Sequence, residues 1–600
     1  MTEHALNPDA APALEEVLRR YWGYDHFRPL QREAMQCVLD QRDSVVILPT
    51  GGGKSLCFQA PAAAMEGMAV VISPLISLMK DQVDALNACG IPAACIHSAM
   101  TGEERRRVHE AVCSESLRLL YVAPERAVTD RFIDYLAQRN VSTLVVDEAH
   151  CISQWGHDFR PEYRGLRVLR EVFPDVAMHA YTATATPQVR GDIAEQLSLR
   201  DAQTLVGSFD RPNLIYRAER RNDRIGQICQ VVQRFPNDAG IVYCISRKEV
   251  ESVSEELNRR GYRSLPYHAG LDDDVRAANQ EAFKRDKVRI IVATVAFGMG
   301  IDKPDVRYVV HSGMPKSIEH YQQESGRAGR DGLEAECWLF WAPSDFMLWK
   351  RITEQNGSGS PAAVEKLDAM YAFASTLACR RTALLEYFGE AYPKDNCQSC
   401  DFCLDEVESA GGSAEYAAHI LACVDELGDM AGPTYTTLIL TGSQEERVVN
   451  KRHHMLASHG TLADQDSRTV RQWIEHLVAQ GFLVKEGEYN ILRATARANQ
   501  AGTDGVRLER PASRDKRAAA KKDMTGVDPA LYEHLRALRR DIAEERGAPA
   551  FTVFGDATLR DLARSRPTGM AGFLAIGGVG EKKARDYGEV FMKAIADYCR

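Results

Sequence analysis

The chain has 600 residues, too many for one hydrophobic core, and its length predicts roughly three to five domains. No apolar run approaches the ~20 residues of a membrane span, and the start Met1-Thr2-Glu3-His4-Ala5-Leu6-Asn7 lacks a basic stretch followed by an apolar one, so neither a membrane-embedded nor a secreted protein is expected. A net charge of −10 excludes an indiscriminately basic nucleic-acid binder but leaves room for a local basic channel, because at 0.1 M salt a charge is felt over only about 10 Å. The 15 cysteines predict reduced core thiols, with functional meaning only where they cluster. The expected compartment is the cytoplasm or bacterial nucleoid.

Leu14 to Trp22 has the spacing of an amphipathic helix. Tyr24, Arg28 and Gln31 follow it; a glutamine amide can pair with the N6/N7 edge of adenine while a ring stacks on its face, and ordinary helix capping is the alternative. The apolar run from Ser44 to Leu48 reads as a buried strand, and Leu56 to Ala60 can open a helix. Between them stand Thr50, Gly51, Gly52, Gly53, Lys54 and Ser55. Strand, glycine turn and helix start in that order make a phosphate cradle. The glycines let backbone N–H groups approach an anion that a Cβ would push away, and the helix N-terminus adds partial positive charge. Lys54 can then reach the terminal phosphates of ATP, and Ser55 can ligate magnesium. A tight glycine turn followed by a chance Lys-Ser is the alternative.

Val70 to Leu75 and Leu117 to Val122 read as further buried strands, with the helix Ile76 to Ala88 after the first. Alternating strands and helices predict a parallel sheet, which binds ligands at its strand C-termini. A third such strand ends in Asp147 and Glu148. Asp147 would hold magnesium through water, and Glu148 is placed to polarise the water that attacks the γ-phosphate. Alone, an acidic pair at a strand end is commonplace; with Lys54 upstream it reads as catalytic.

Asp147-Glu148-Ala149-His150 resembles the signature of superfamily 2 helicases, and Leu48 to Ser55 matches the Pro-Thr-Gly variant of the phosphate loop found in such motors. The continuation from Cys151 to Tyr163 is similar to the aromatic-rich loop of RecQ DNA helicases. Trp155, His157, Phe159 and Arg160 lie in it. Rings and a guanidinium offer stacking and cation–π surfaces to unpaired bases, each stack contributing ~1–3 kcal/mol. An isolated Trp usually packs in a core, but the His, Asp, Arg, Pro and Glu around these rings predict an exposed loop. Since the loop leaves directly from Glu148, a base gripped there can be felt at the phosphate. The threonines of Ala180 to Thr186 resemble the motif that couples hydrolysis to movement between motor halves.

Phe209-Asp210-Arg211-Pro212-Asn213-Leu214 breaks the pattern and opens a second strand and helix series. In the family resembled, the Gly-punctuated stretch Val295 to Pro304 contacts DNA and nucleotide. In Tyr321 to Gly332 two arginines, Arg327 and Arg330, stand three apart, which predicts one helix face with small residues between them. Arginines reaching across a cleft stabilise charge on a transferring phosphoryl group. A solvated charged pair is the alternative.

Cys379, Cys397, Cys400 and Cys403 predict one tetrahedral zinc site, with disulfides or a redox pair as alternatives, and the pattern matches the RecQ zinc module. Paired helices are expected from Ala362 to Tyr387. A helix around Ser467 to Leu477 followed by a hairpin to Leu492 looks like a winged helix, which binds duplex DNA or protein. Gln500 to Lys522 reads as a basic, flexible linker. Asp528 to Arg600 resembles the helicase-and-RNase-D C-terminal (HRDC) domain; there Phe551 is a candidate to stack on a base or simply to pack, and Lys582 stands beside a Gly578-Val579-Gly580 turn that can present N–H groups to a phosphate or be only a tight helix turn.

The resemblance implies an α/β fold of two tandem RecA-like parallel-sheet lobes, then a helical zinc module, a winged helix and a small all-α HRDC domain. The divisions expected are 1–208, 209–345, 346–408, 409–499, 500–527 and 528–600. It further implies an ATP-dependent DNA helicase moving three-prime to five-prime on single-stranded DNA in recombination and repair. ATP, Mg2+ and Zn2+ are the cofactors implied. The partners implied are single-stranded and branched DNA and a single-stranded-DNA-binding protein, with a monomeric chain and no membrane. An RNA helicase on the same lobes, or a DNA-binding scaffold without turnover, are the competing classes.

Overall fold

The computed structural model describes residues 10–97, 100–156, 158–298, 303–355, 361–407, 410–428, 431–486, 490–501, 503, 506, 508 and 524–599. His157, residues 299–302 of the Gly-punctuated loop, the hairpin residues 487–489 and all the basic side chains of the 500–522 segment lie outside the described residues.

Uninterrupted apolar runs persist as strands only where both faces are covered, as in a parallel sheet between helices. Among the described residues the first lobe has seven: Ser44–Ile47 (β1), Met68–Ile72 (β2), Ala93–Ile96 (β3), Leu119–Val122 (β4), Val141–Val146 (β5), Met178–Thr182 (β6) and Gln203–Val206 (β7). They pair in parallel in the order β3-β4-β2-β5-β6-β1-β7. Successive side chains serve opposite faces: Val45 and Ile47 join one core, Val46 and Leu48 the other. Each fully buried Val, Leu or Ile contributes about 1.5–3 kcal/mol. The order places β5, β6 and β1 side by side, so the phosphate loop after β1 and the carboxylates after β5 share one edge across a single strand.

The second lobe has Leu214–Arg220 (β8), Ala239–Tyr243 (β9), Ser264–Tyr267 (β10), Ile290–Ala293 (β11), Val306–His311 (β12) and Ala335–Trp341 (β13), all parallel in the order β10-β11-β9-β12-β13-β8. The edge strand β8 carries unpaired backbone groups that need a cover. The cysteine-bearing module supplies it: the Tyr216 amide donates to Ser399 O at 3.1 Å, the Asp401 amide to Tyr216 O at 2.9 Å, and the Ala218 amide to Asp401 Oδ2 at 2.8 Å. The paired helices are Pro361–Ser375 and Arg380–Tyr387. Cys379 stands at the entry of the second rather than inside a longer helix. Arg380 and Arg381 are buried, pairing with Asp401 at 2.9 Å and with Asp210 respectively.

In the winged helix, Ser467–Ala479 packs through Trp473 and Leu477 under the antiparallel pair Leu483–Glu486 (β14) and Ile491–Ala494 (β15). Val506 and Leu508 lie in the segment read as a linker, yet they are buried in this core, and the Ala410 amide donates to Leu508 O at 2.6 Å. Two apolar residues in a basic run were enough to draw the chain back.

The HRDC core gathers Leu531, Leu535, Phe554 and Phe591 from helices that include Pro529–Glu545 and Glu581–Cys599. This domain docks at the strand N-termini of the second lobe: Arg536 pairs with Asp238 at 2.9 Å and Arg560 with Glu334 at 3.0 Å. The Phe551 ring, read from sequence as stacking on a base or simply packing, is half-buried with the ammonium of Lys303 5.8 Å from its centroid. The Gly578 turn is likewise a packing feature, with φ +83° and no room for a Cβ, which would come 2.5 Å from Thr558 Oγ1. Lys582 is exposed. Among the described residues no helix is long and apolar enough to cross a membrane.

Candidate active site

Lys54 opens the helix Lys54–Ala64, and Gly53 before it has φ +78°, a left-handed conformation that a side chain resists. A Cβ on Gly53 would lie 2.3 Å from Gln31 Nε2. Gln31 explains that crowding. Its Nε2 donates to the carbonyls of Gly52 at 3.2 Å and Gly53 at 3.3 Å, its Oε1 accepts from the Arg28 amide at 2.8 Å, and Arg28 Nη1 donates to Gly51 O. The Nε2 end of the Gln31 amide thus braces the phosphate loop, while its Oε1 end is held by the backbone of Arg28. Tyr24 remains 54% exposed, with its ring available to a ligand. Lys54 Nζ donates to Leu48 O at 3.2 Å, folded back over its own turn, and Ser55 follows half-buried.

Asp147 and Glu148 leave β5 across β6 from this loop. Burial pushes the Asp147 carboxyl well above the ordinary carboxylate range, and the Glu148 charge adds to it against the pull of Lys54. Burial acts the same way on Glu148 but is outweighed by His150, Lys54 and Arg327, which hold it below its ordinary value. Two adjacent carboxylates thus differ in proton affinity, the arrangement that separates roles at an active site. Burial also lowers Lys54 from its usual value, while the two carboxylates oppose that. A divalent cation beside Asp147 fits this donor set, since it would relieve the charge that now favours a proton.

His150 links Glu148 to the end of β6. Its Nδ1 lies 3.3 Å from Glu148 Oε2 and 2.9 Å from Thr182 Oγ1, at the end of β6. The hydroxyl of Tyr163 donates to Asp147 O at 3.0 Å, tying the far end of the aromatic loop to the same turn.

Arg327 and Arg330 do reach this cleft, but not from one helix face. The helix Ile318–Ser325 ends before them, and they occupy the following turn, where Gly329 has φ +55°. Arg327 is buried and is among the charges that keep Glu148 ionised. Arg330 Cγ lies 3.9 Å from where a Cβ on Gly51 would be, directly against the phosphate loop. Arg211, which sequence reading passed over, braces the two sides: it donates to Thr50 O at 3.0 Å and Gly326 O at 3.3 Å through Nη1, and to Ala328 O at 3.1 Å and Gly329 O at 2.9 Å through Nη2. Its only sequence signal was the Pro turn beginning the second lobe.

In the aromatic loop, Trp155 is 39% exposed. Phe159 is half-buried with the Arg164 guanidinium 5.1 Å from its ring, and Arg160 donates to Asp158 Oδ2 at 3.2 Å and Pro74 O at 3.3 Å. Phe159 and Arg160 thus have partners within the first lobe, and Trp155 is the exposed ring of the loop.

The sulfurs of Cys379, Cys397, Cys400 and Cys403 lie within 4.8 Å of one another. Four thiolates 2.3 Å from a zinc ion stand about 3.8 Å apart, so the cluster fits zinc. Backbone amides already point at the sulfurs: Ser399 N to Cys397, Cys403 N to Cys400 and Cys397 N to Cys403, each at 3.4 Å. Bound zinc would cross-link this loop to Cys379 at the entry of the helix Arg380–Tyr387. Cys400→Ser is expected to lose stoichiometric zinc and, because structural zinc contributes several kcal/mol or more, to lower the thermal midpoint of unfolding. Metal analysis and calorimetry check this; full zinc retention would contradict it.

Family models match the chain in succession: DEAD/DEAH box helicase at residues 28–192, helicase conserved C-terminal domain at 223–332, RecQ zinc-binding at 343–404, RQC domain at 413–518 and HRDC domain at 528–595. Curated relatives extend over almost the whole length. The ATP-dependent DNA helicase RecQ of Pasteurella multocida is 40% identical over 97% of this chain and 93% of its own. That of Haemophilus influenzae is 38% identical over 98% and 96%, and that of Bacillus subtilis 38% over 98% and 99%. With the phosphate loop, the acidic pair and the opposing arginines in one cleft and four cysteines on the lobe beside it, the chain belongs to the RecQ family of ATP-dependent DNA helicases.

Proposed function

We propose that this helicase moves three-prime to five-prime along single-stranded DNA and separates duplex and branched structures in recombination and repair. The observation that carries the reading is the two-sided cleft, with Lys54 and Glu148 on one lobe and Arg327 and Arg330 on the other. Thr50, Gly51, Gly52, Gly53 and Lys54 bind the phosphates, and Tyr24, Arg28 and Gln31 form the adenine side, with Gln31 and Arg28 bracing the loop from there. Glu148 holds the attacking water through its ionised carboxylate, and His150 passes its position to Thr182. Asp147 and Ser55 would hold Mg2+, which when bound neutralises phosphate charge as a Lewis acid. Arg327 and Arg330 bind the transferring phosphoryl only while the lobes are closed, so hydrolysis loosens them. Trp155 takes the base, and His157, Phe159 and Arg160 support the strand around it.

The domain divisions at 208/209, 345/346, 408/409 and 527/528 follow this division of labour, with the winged-helix portion continuing to Leu508. A monomer working in the cytoplasm beside the nucleoid, fed by a single-stranded-DNA-binding protein, completes the reading.

The test is unwinding of three-prime-tailed and five-prime-tailed DNA duplexes and of RNA duplexes with ATP. Separation of three-prime-tailed DNA alone is expected; unwinding of RNA only, or ATP hydrolysis that DNA does not stimulate, would refute it. Trp155→Ala is expected to weaken DNA affinity by no more than one stack, ~1–3 kcal/mol or about 5- to 150-fold, yet to remove most of the DNA stimulation of hydrolysis even at saturating DNA. Titration of fluorescent single-stranded DNA alongside ATPase turnover separates the two; unchanged stimulation would take Trp155 out of the coupling.

A further inference from the structure

We propose that Lys366, in the zinc-module helix Pro361–Ser375, is a positioning residue that latches the aromatic loop in its DNA-free place; the inference rests on the coupling role given to that loop above. The Lys366 ammonium pairs with Glu319 Oε1 at 2.9 Å and also donates to the backbone carbonyl of Trp155. Both charged side chains are sheltered, Lys366 at 16% and Glu319 at 3% exposure. Glu319 belongs to the helix Ile318–Ser325, whose following turn carries Arg327 and Arg330. One ammonium therefore ties the loop that leaves Glu148 to the element that presents the arginines.

Among the described residues, other bonds of this stretch stay within the first lobe: Trp155 N donates to Ser153 Oγ at 3.1 Å, Gly156 N to Ser153 O at 2.9 Å, and Arg160 to Pro74 O at 3.3 Å. The Lys366 bond crosses to the other body, so it depends on how the lobes are set. Gly156 lies so tight on His150 that a Cβ there would come 2.2 Å from the His150 carbonyl oxygen. Displacement of the Trp155–Gly156 peptide is thereby passed to His150, and through it to Glu148 and Thr182. A cavity of about 110 Å³ beside the latch, lined by Gln154, Gly156, Lys316, Ser317, His320 and Lys366 among others, gives the loop and ammonium room to part.

A base that stacks on Trp155 competes with this latch. For a two-state loop held mostly in the latched state, weakening the latch raises the unlatched fraction and lowers the half-saturating DNA concentration by the same factor. Hydrogen bonds to charged groups lie at the strong end of the range, and partial exposure tempers this one, so the expected factor is about 3–10. Lys366→Met is thus expected to raise DNA-free ATP hydrolysis about 3–10-fold and to lower half-saturating single-stranded DNA equally, with DNA-saturated turnover within about twofold of wild type. Lys366→Arg, which keeps the charge pair, should return both toward wild type. The double variant Lys366→Met/Glu319→Gln removes both charges together, so that a stranded buried carboxylate does not confound the result, and is expected to match Lys366→Met. Bound zinc and circular dichroism report that the module is folded. Unchanged DNA-free turnover and half-saturation, or a fall in DNA-saturated turnover alone, would overturn the latch. Absence of DNA stimulation in the wild type would instead overturn the helicase coupling on which it rests.

Discussion

Replacing Arg330 with alanine is expected to slow DNA-stimulated ATP hydrolysis by about 10³-fold or more, the range over which a trans-acting arginine contributes to phosphoryl transfer. Its stem lies against Gly51 of the phosphate loop, so its guanidinium enters the cleft from the opposite lobe. The loss should fall on kcat, because charge develops on the phosphoryl oxygens only during transfer, and nucleotide affinity should change little. Its turn does not depend on this side chain alone: Arg211 holds Gly326, Ala328 and Gly329, and the Gly329 amide donates to Val306 O at 2.9 Å. Arg330→Lys should recover little, since an ammonium cannot reproduce the planar fork. Single-turnover hydrolysis with saturating single-stranded DNA is the measurement. If chemistry runs at wild-type rate while only ATP binding weakens, Arg330 is a ground-state contact and the finger reading is lost.

Lys54→Ala should reduce the same rate by about 10²–10³-fold, comparable to removing one preorganised donor from a developing anion, and should abolish unwinding. Two recessed carboxylates face this lysine, and burial lowers its affinity for a proton while they oppose it. Removing the ammonium leaves Asp147 and Glu148 with less compensation, so the variant should also bind nucleotide poorly. The fold should survive, because alanine is the best helix former and Lys54 stands at a helix start. Circular dichroism establishes that point, and ATPase turnover with and without DNA measures the effect. A variant retaining more than about a tenth of wild-type turnover would mean that Lys54 is not the phosphate contact.

Both effects depend on groups whose identities were legible in the chain and whose meeting was not. A strand, a glycine turn and Lys-Ser lie within a dozen residues, where backbone dihedrals, chain length and helix capping decide geometry almost alone; Gly53 has the positive φ that such a turn demands. The cysteines are similar, three of them falling within seven residues, and their spacing survives folding. Arg327 and Arg330 were recognised, but helical periodicity misplaced them: the helix stops at Ser325 because the glycine-punctuated run after it favours a turn.

Other roles depended on packing. Local sequence cannot show that the Gln31 amide also braces two glycine carbonyls, or that Phe551 is half-buried with the Lys303 ammonium 5.8 Å from its ring. Arg211 is marked only by the proline turn beside it and Lys366 by nothing local, since a lysine in a helix has many equivalent neighbours in sequence.

By itself, then, the sequence determined the chemistry of the phosphate loop, the acidic pair and the zinc cysteines, because each is written in adjacent residues whose backbone must bend one way. Only the tertiary structure decided which strands would be neighbours, and hence that β5 and β1 would bring Glu148 to Lys54 across β6. It likewise decided that Arg211 would bridge the lobes and that Lys366 would reach Trp155 across 211 residues of chain. The physical reason is that burial and pairing between distant segments are settled by competition among all the apolar faces at once, which no short window of the chain contains.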